Sequence, residues 1–121
     1  MNTKHAEVDR LLHVWEEALK KAQAAKDAYH LTEASFSQLV RSMKETVKMA
    51  DEEARQKAAD LVWAAAGRYS DALDEVMNAD LAIMSFSTTH PEHTERLRSS
   101  RGEIRNRQVM KLDWASNSGG N

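Results

Sequence analysis

The residues in this chain best equipped for chemistry are the cations near its end. Arg96, Arg98, Arg101, Arg105, Arg107 and Lys111 stand against only Glu103 and Asp113, so residues 96–121 carry a net charge of +4. Residues 1–95 carry 11 Lys and Arg against 17 Asp and Glu, a net of −6. The overall charge of −2 therefore hides an acidic body and a basic end, an asymmetry that points to partners. At about 100° per residue, Arg98, Arg101 and Arg105 form one ridge of a helix, and Arg96, Arg107 and Lys111 fall on another side. The guanidinium fork suits phosphate and carboxylate alike. One occupant is a nucleic-acid backbone, contacted without reading sequence, with Trp114 close enough in sequence to stack on a base. The other is a set of carboxylates. Residues 51–80 hold eight acids and three bases, so the basic segment can dock on that stretch, within the chain or across a dimer, or on an acidic protein partner.

His90 and His93 are spaced i,i+3 beside Glu92 and Glu95, which is half of a metal site. Zinc needs three or four converging ligands, and carboxylate-bridged bundles use Glu-x-x-His on two helices, a spacing absent from this chain. These residues therefore read as a solvated helix start. His5 and His13 read as exposed. Hydroxyls are plentiful, but there is no Gly-x-Ser-x-Gly and no glycine-rich phosphate loop. The carboxylates sit in mixed-sign runs typical of solvated faces. No catalytic residue, metal, cofactor or small-molecule substrate is expected.

The elements that position these groups are set by the residues the chain avoids. The first glycine is Gly67 and the only proline is Pro91. Glycine costs a helix interior about 1 kcal/mol relative to alanine and proline about 3 kcal/mol, so such a chain lets helices run. A first helix is expected from about Lys4 to about His30, with Thr3 as a cap, because Val8, Leu11, Leu12, Trp15, Leu19 and Ala22 recur on one face. Glu16–Lys20 and Glu17–Lys21 are oriented as i,i+4 pairs. A break comes next, with Ser35 and Gln38 as a capping box and Thr32 as a rival cap.

From Phe36 the apolar series steps by three or four through Val40, Met43, Val47, Ala50, Ala54, Ala58, Leu61, Ala65, Tyr69, Ala72 and Val76 to Ile83, with Asp80 the polar intruder. The unbroken register allows one very long helix. The acidic run Asp51–Glu52–Glu53 looks like a first turn and places a break near residue 50. Gly67 suggests a close helix crossing. Ser85 to His90 reads as a loop. Thr89, Pro91 and Glu92 restart a helix, which a second box at Ser100–Glu103 divides and which ends near Trp114.

Three consecutive apolar residues, Leu61, Val62 and Trp63, cover about 200° of a helix, and Leu81, Ile83, Met84 and Phe86 do the same. A helix apolar that far round is contacted on two sides. The candidate protein interface is therefore Trp63, Leu81, Met84, Phe86 and Trp114, while Met43 and Met77 read as core. With no cysteine, no disulfide or thiolate metal site can form. The longest apolar run, Leu61–Ala66, is far short of the ~20 residues that span a bilayer, and no apolar signal segment follows the first residues.

The expected architecture is all-α: an elongated antiparallel helical bundle of three or four helices, as a single helical domain over 1–115 with a disordered polar tail at 116–121. The expected role is a non-catalytic, cytoplasmic interaction protein that binds another protein, or itself as a homo-oligomer, through helix faces. The alternative is a sequence-independent nucleic-acid-contacting subunit that uses the arginine cluster. No membrane association is expected.

Overall fold

In the computed structural model the described backbone, residues 3–120, is helical almost throughout, and side chains are described for residues 5–107. The order is α1 (Thr3–Ala34), α2 (Phe36–Thr46), α3 (Asp51–Thr89), a 3-10 turn (Pro91–His93) and α4 (Thr94–Gly120). The fold is all-α with no strand among the described residues. Thr3, Lys111, Trp114 and the tail 116–121 lie outside the described side chains.

The contacts divide the chain into two compact units: residues 1–20 with 75–121, and residues 21–74. In the first, the start of α1, the end of α3, and α4 pack as an up-down-up three-helix bundle. Its core is Val8, Leu11, Leu12, Trp15, Ala79, Ile83, Leu97 and Ile104, with Leu19 and Phe86 packed against it. These positions fall on one face of each helix, with Ala79 and Ile83 four residues apart and Leu97 and Ile104 seven. The 3-10 turn holds the α3–α4 corner. His90 caps it without a side-chain cap bond, Pro91 occupies its first turn, and the Ser87 and Thr94 hydroxyls meet at 2.8 Å across it.

In the second unit, α2 presents Phe36, Leu39, Val40 and Met43 on one face, and Val40 is buried with Ala54 and Ala58 of α3. Alanines at 58, 65 and 72 continue as a buried seven-residue repeat. Such a seam is thin, because each alanine contributes little apolar area.

The break near residue 50 is present, and its device is backbone geometry. Lys48 adopts φ 64°, the left-handed conformation that commonly closes helices. The Met43 carbonyl accepts from the Val47 and Met49 N–H groups, both at 3.2 Å. Asp51, Glu52 and Glu53 form the acidic first turn of α3, where carboxylates meet the positive end of the helix dipole. Asp51 also accepts from Lys44 Nζ at 2.8 Å and Arg55 Nε at 2.9 Å, tying α2 to α3.

Several local signals are overridden. The first helix continues past His30 to Ala34, and Thr32 is no cap; its hydroxyl donates to the Ala28 carbonyl at 2.8 Å. Ser35 stands at the N-cap of α2 but makes no side-chain cap bond. Residues 85–89 are helix, not loop, and Thr88 and Thr89 satisfy their hydroxyls within it by turning them back onto the Met84, Ser85 and Phe86 carbonyls. Thr89 is thus the end of α3 and not the cap of the next helix. Helix α4 runs undivided through Ser100–Glu103. A Cβ built on Gly67 meets nothing within 4 Å, so no helix crosses there. Glu17 also meets Lys20 at 3.6 Å, and Glu16 meets Arg107 at 3.3 Å.

Gly67→Ala is expected to stabilise the fold by about 1 kcal/mol, from helix propensity in open space, read as a raised urea midpoint at constant slope. The Asp51 carboxyl is held below its ordinary range, chiefly by hydrogen bonds from Lys44 and then Arg55. Its folded value lies below its unfolded one, so its contribution is complete above the unfolded value of about 3.9 and is lost as pH falls through the folded value. Urea midpoints measured across that window should fall with acid in the parent chain, and fall less in Asp51→Asn.

Candidate functional site

The basic segment folds onto its own unit. Arg96 Nη2 donates to Asp9 at 2.8 Å, and Arg107 Nη2 donates to Glu16 at 3.3 Å, so α4 runs alongside α1 in the same direction. Arg101 Nη2 donates to Asp80 of α3. The Arg101 guanidinium also lies over the Trp15 ring, 5.0 Å from its centroid, and Arg105 lies 5.9 Å from the same ring. Trp15 is only 2% exposed. A buried indole with guanidinium cover gains cation–π attraction of order 1 kcal/mol, and Asp80 keeps the nearer cation in place.

Asp80 therefore explains its own place in the apolar register. In the sequence pattern it is an intruder; the chain uses it to hold Arg101 of α4 over Trp15 of α1. A polar residue in an otherwise unbroken apolar series was the available signal, and pairing it with an arginine would have found this site. Of the ridge Arg98–Arg101–Arg105, Arg98 alone points away from the core; it meets its helix neighbour Glu95 at 3.5 Å and stays exposed.

The histidine pair serves packing. The His90 ring stacks on Phe86 with centroids 4.2 Å apart and 20° between planes, and His93 meets His5 edge-on at 5.4 Å. No group of three or more His, Cys, Asp or Glu converges among the described residues. Phe86, expected at an interface, is half-buried against the core of its own unit.

Two other surfaces remain. On α3 in the first unit, Met77, Leu81 and Met84 are each more than half exposed. Their steps of four and three place them on one stripe, well round the helix from core-facing Ala79 and Ile83. Met77, read as core, is thus a surface residue. Beside this stripe runs a groove of about 500 Å³ lined by Met84, Thr88, Arg98, Arg101, Gly102 and Arg105 among others. A Cβ on Gly102 would meet nothing within 4 Å, which leaves the groove open along α4.

In the second unit, Trp63 is 75% exposed. It lines a pocket of about 420 Å³ with Tyr29, Glu33, Phe36, Ala59, Val62 and Ala66. The Tyr29 hydroxyl donates to Glu33 Oε2 at 3.1 Å, and that carboxylate raises the tyrosine pKa. The Tyr29 ring is backed by Tyr69, stacked at 6.2 Å. Tyr29 and Glu33 carry no signal of a site in the sequence; they lie on α1 and Trp63 on α3, and only packing joins them.

Compared with protein-family models, curated proteins and solved structures, the chain matches none.

Arg101→Glu is expected to destabilise the fold by about 2 kcal/mol or more, since it sets a carboxylate against Asp80 and strips the Trp15 cover. A double-mutant cycle of Arg101→Ala and Asp80→Ala should return a coupling of about 1 kcal/mol, measured by urea unfolding.

Proposed function

We propose that this chain is a non-catalytic helical interaction protein whose binding face is the exposed stripe Met77–Leu81–Met84 with the adjoining groove of α3 and α4. The observation that carries the reading is the stripe itself: long apolar side chains in register on one helix, unsatisfied by the core of their own unit. Methionine-bearing faces suit adaptable helix-in-groove contacts, and contiguous exposed apolar residues mark interaction sites. The partner is a second copy or another protein that lays a helix along the stripe. Arg98 at its rim suits an acidic residue on that partner.

The alternative, a nucleic-acid-contacting subunit, draws on the same arginines. It is weakened because Arg96, Arg101 and Arg107 are engaged by Asp9, Asp80 and Glu16, which leaves less cationic surface for phosphates. A cytoplasmic location is consistent with the lack of cysteine. No helix among the described residues is long and apolar enough to cross a membrane.

Light scattering on a sizing column, at low and high salt and with a random-sequence oligonucleotide, separates the readings. Self-association that ignores salt and oligonucleotide and is lost in Leu81→Asp/Met84→Asp supports the protein face. These exposed substitutions should change stability by no more than about 0.5 kcal/mol each. Where the chain alone is monomeric, a photo-crosslinker at Met84 should yield one discrete protein adduct that a crosslinker at exposed Asp71 does not. A salt-sensitive oligonucleotide complex lost in Arg98→Ala/Arg105→Ala would instead establish the alternative.

A further inference from the structure

Of the chain's seven aromatic residues, four gather in the second unit, yet its buried core is built from Val40 and alanines. Tyr29, Phe36 and Trp63 line one open pocket, and Tyr69 backs Tyr29. Three rings of such size at one pocket are far more than an alanine seam needs for packing, and the largest, Trp63, contributes little to the core because it is mostly exposed. Among the described residues that line the pocket, Glu33 alone carries a charge. Aromatic faces are negative at the centre of the ring, and tryptophan is the strongest cation acceptor of the three. The pocket thus combines three aromatic rings with one carboxylate, and both favour a cation.

The chemistry of the lining narrows the class of cation. A lysine ammonium or an arginine guanidinium brings three to five N–H donors, each of which calls for an acceptor. The side-chain acceptors here are the Glu33 carboxylate, whose Oε2 receives the Tyr29 hydroxyl and whose Oε1 faces His30 at 3.9 Å, and the Tyr29 oxygen. The remaining lining of Ala59, Val62 and Ala66 is aliphatic. A cation without N–H donors, covered in methyl groups, meets no such deficit. The volume of about 420 Å³ falls in the range of small-ligand pockets and exceeds what one such head group fills.

We infer that the Tyr29–Phe36–Trp63 pocket binds a trimethylammonium head group, held by cation–π attraction to the rings and by the Glu33 charge. This site is separate from the Met77–Leu81–Met84 face and does not depend on that reading. It also departs from the expectation from sequence that the chain takes no small molecule, because the pocket is assembled from three helices and is invisible in any one of them.

The test titrates the full chain with choline, with trimethyl-lysine and with 3,3-dimethylbutanol, the neutral isostere of choline, following the Trp63 indole N–H resonance. Choline or trimethyl-lysine should produce a saturable shift, and the tighter of the two names the source of the head group. The neutral isostere should bind about ten-fold more weakly, which is the ratio that a cation–π difference of about 1.4 kcal/mol produces. Glu33→Gln should weaken binding several-fold. Trp63→Ala, followed through the Tyr29 resonances, should abolish it with the thermal midpoint held, since that side chain is mostly outside the core. Equal binding of the neutral isostere would make the pocket merely apolar and overturn the proposal, as would the absence of any saturable shift with both cations.

Discussion

The first unit depends on the seating of one indole. Trp15 is the largest of the fully buried side chains, in a cluster with Val8, Ile83 and Leu97. A ring of that size cannot be covered by the alanines and short aliphatics that α3 offers, so α4 supplies what is missing. Arg101 and Arg105 extend over the ring, and Asp80 anchors the nearer guanidinium. The arginines thus do two jobs: their stems and planes cover apolar surface, and their charges pair with carboxylates on α1 and α3. Asp9, Glu16 and Asp80 of the acidic body are used in this way, by Arg96, Arg107 and Arg101 of the basic end.

The second unit is built on a different use of side chains. Its seam of Ala54, Ala58, Ala65 and Ala72 lets helices approach closely but buries little apolar area. The unit compensates with a firm corner. Lys48 turns the chain in the left-handed region, and Asp51 bridges Lys44 and Arg55. Its aromatic residues lie beside the seam instead of within it, which leaves Trp63 and Tyr29 at a solvent-open pocket. The contrast matters for function. Where the core is rich, the exposed apolar surface is a helical stripe suited to another helix; where it is thin, the surplus is a concave, aromatic site suited to a small cation.

Helix α3 links these properties. A long helix without proline presents every side chain in a fixed angular register, so one face can serve the core while another, well round the helix, remains available. Ala79 and Ile83 are buried while Met77, Leu81 and Met84 are not. The stripe lies on regular helix, so whatever binds it meets a preformed surface whose ordering cost is already met by the fold.

The helical class, the core face of α1, the acidic first turn at Asp51 and the break before it were all legible in the residues, because they rest on periodicity and on the avoidance of glycine and proline, which act locally. So was the second apolar face at 81–84. What misled was also local. The capping pattern at Ser100 and the Ser/Thr run at 85–89 each favour a helix end in isolation, but tertiary packing of Ile83, Phe86, Leu97 and Ile104 outweighs a cap's contribution of about 1 kcal/mol. The destination of the arginines was beyond the sequence, since a guanidinium suits phosphate and carboxylate equally and only the approach of α1 and α3 chose Asp9, Glu16 and Asp80. The meeting of Tyr29 and Glu33 with Trp63 was likewise decided by helix pairing, because residues some thirty positions apart share a pocket only when two helices are laid side by side.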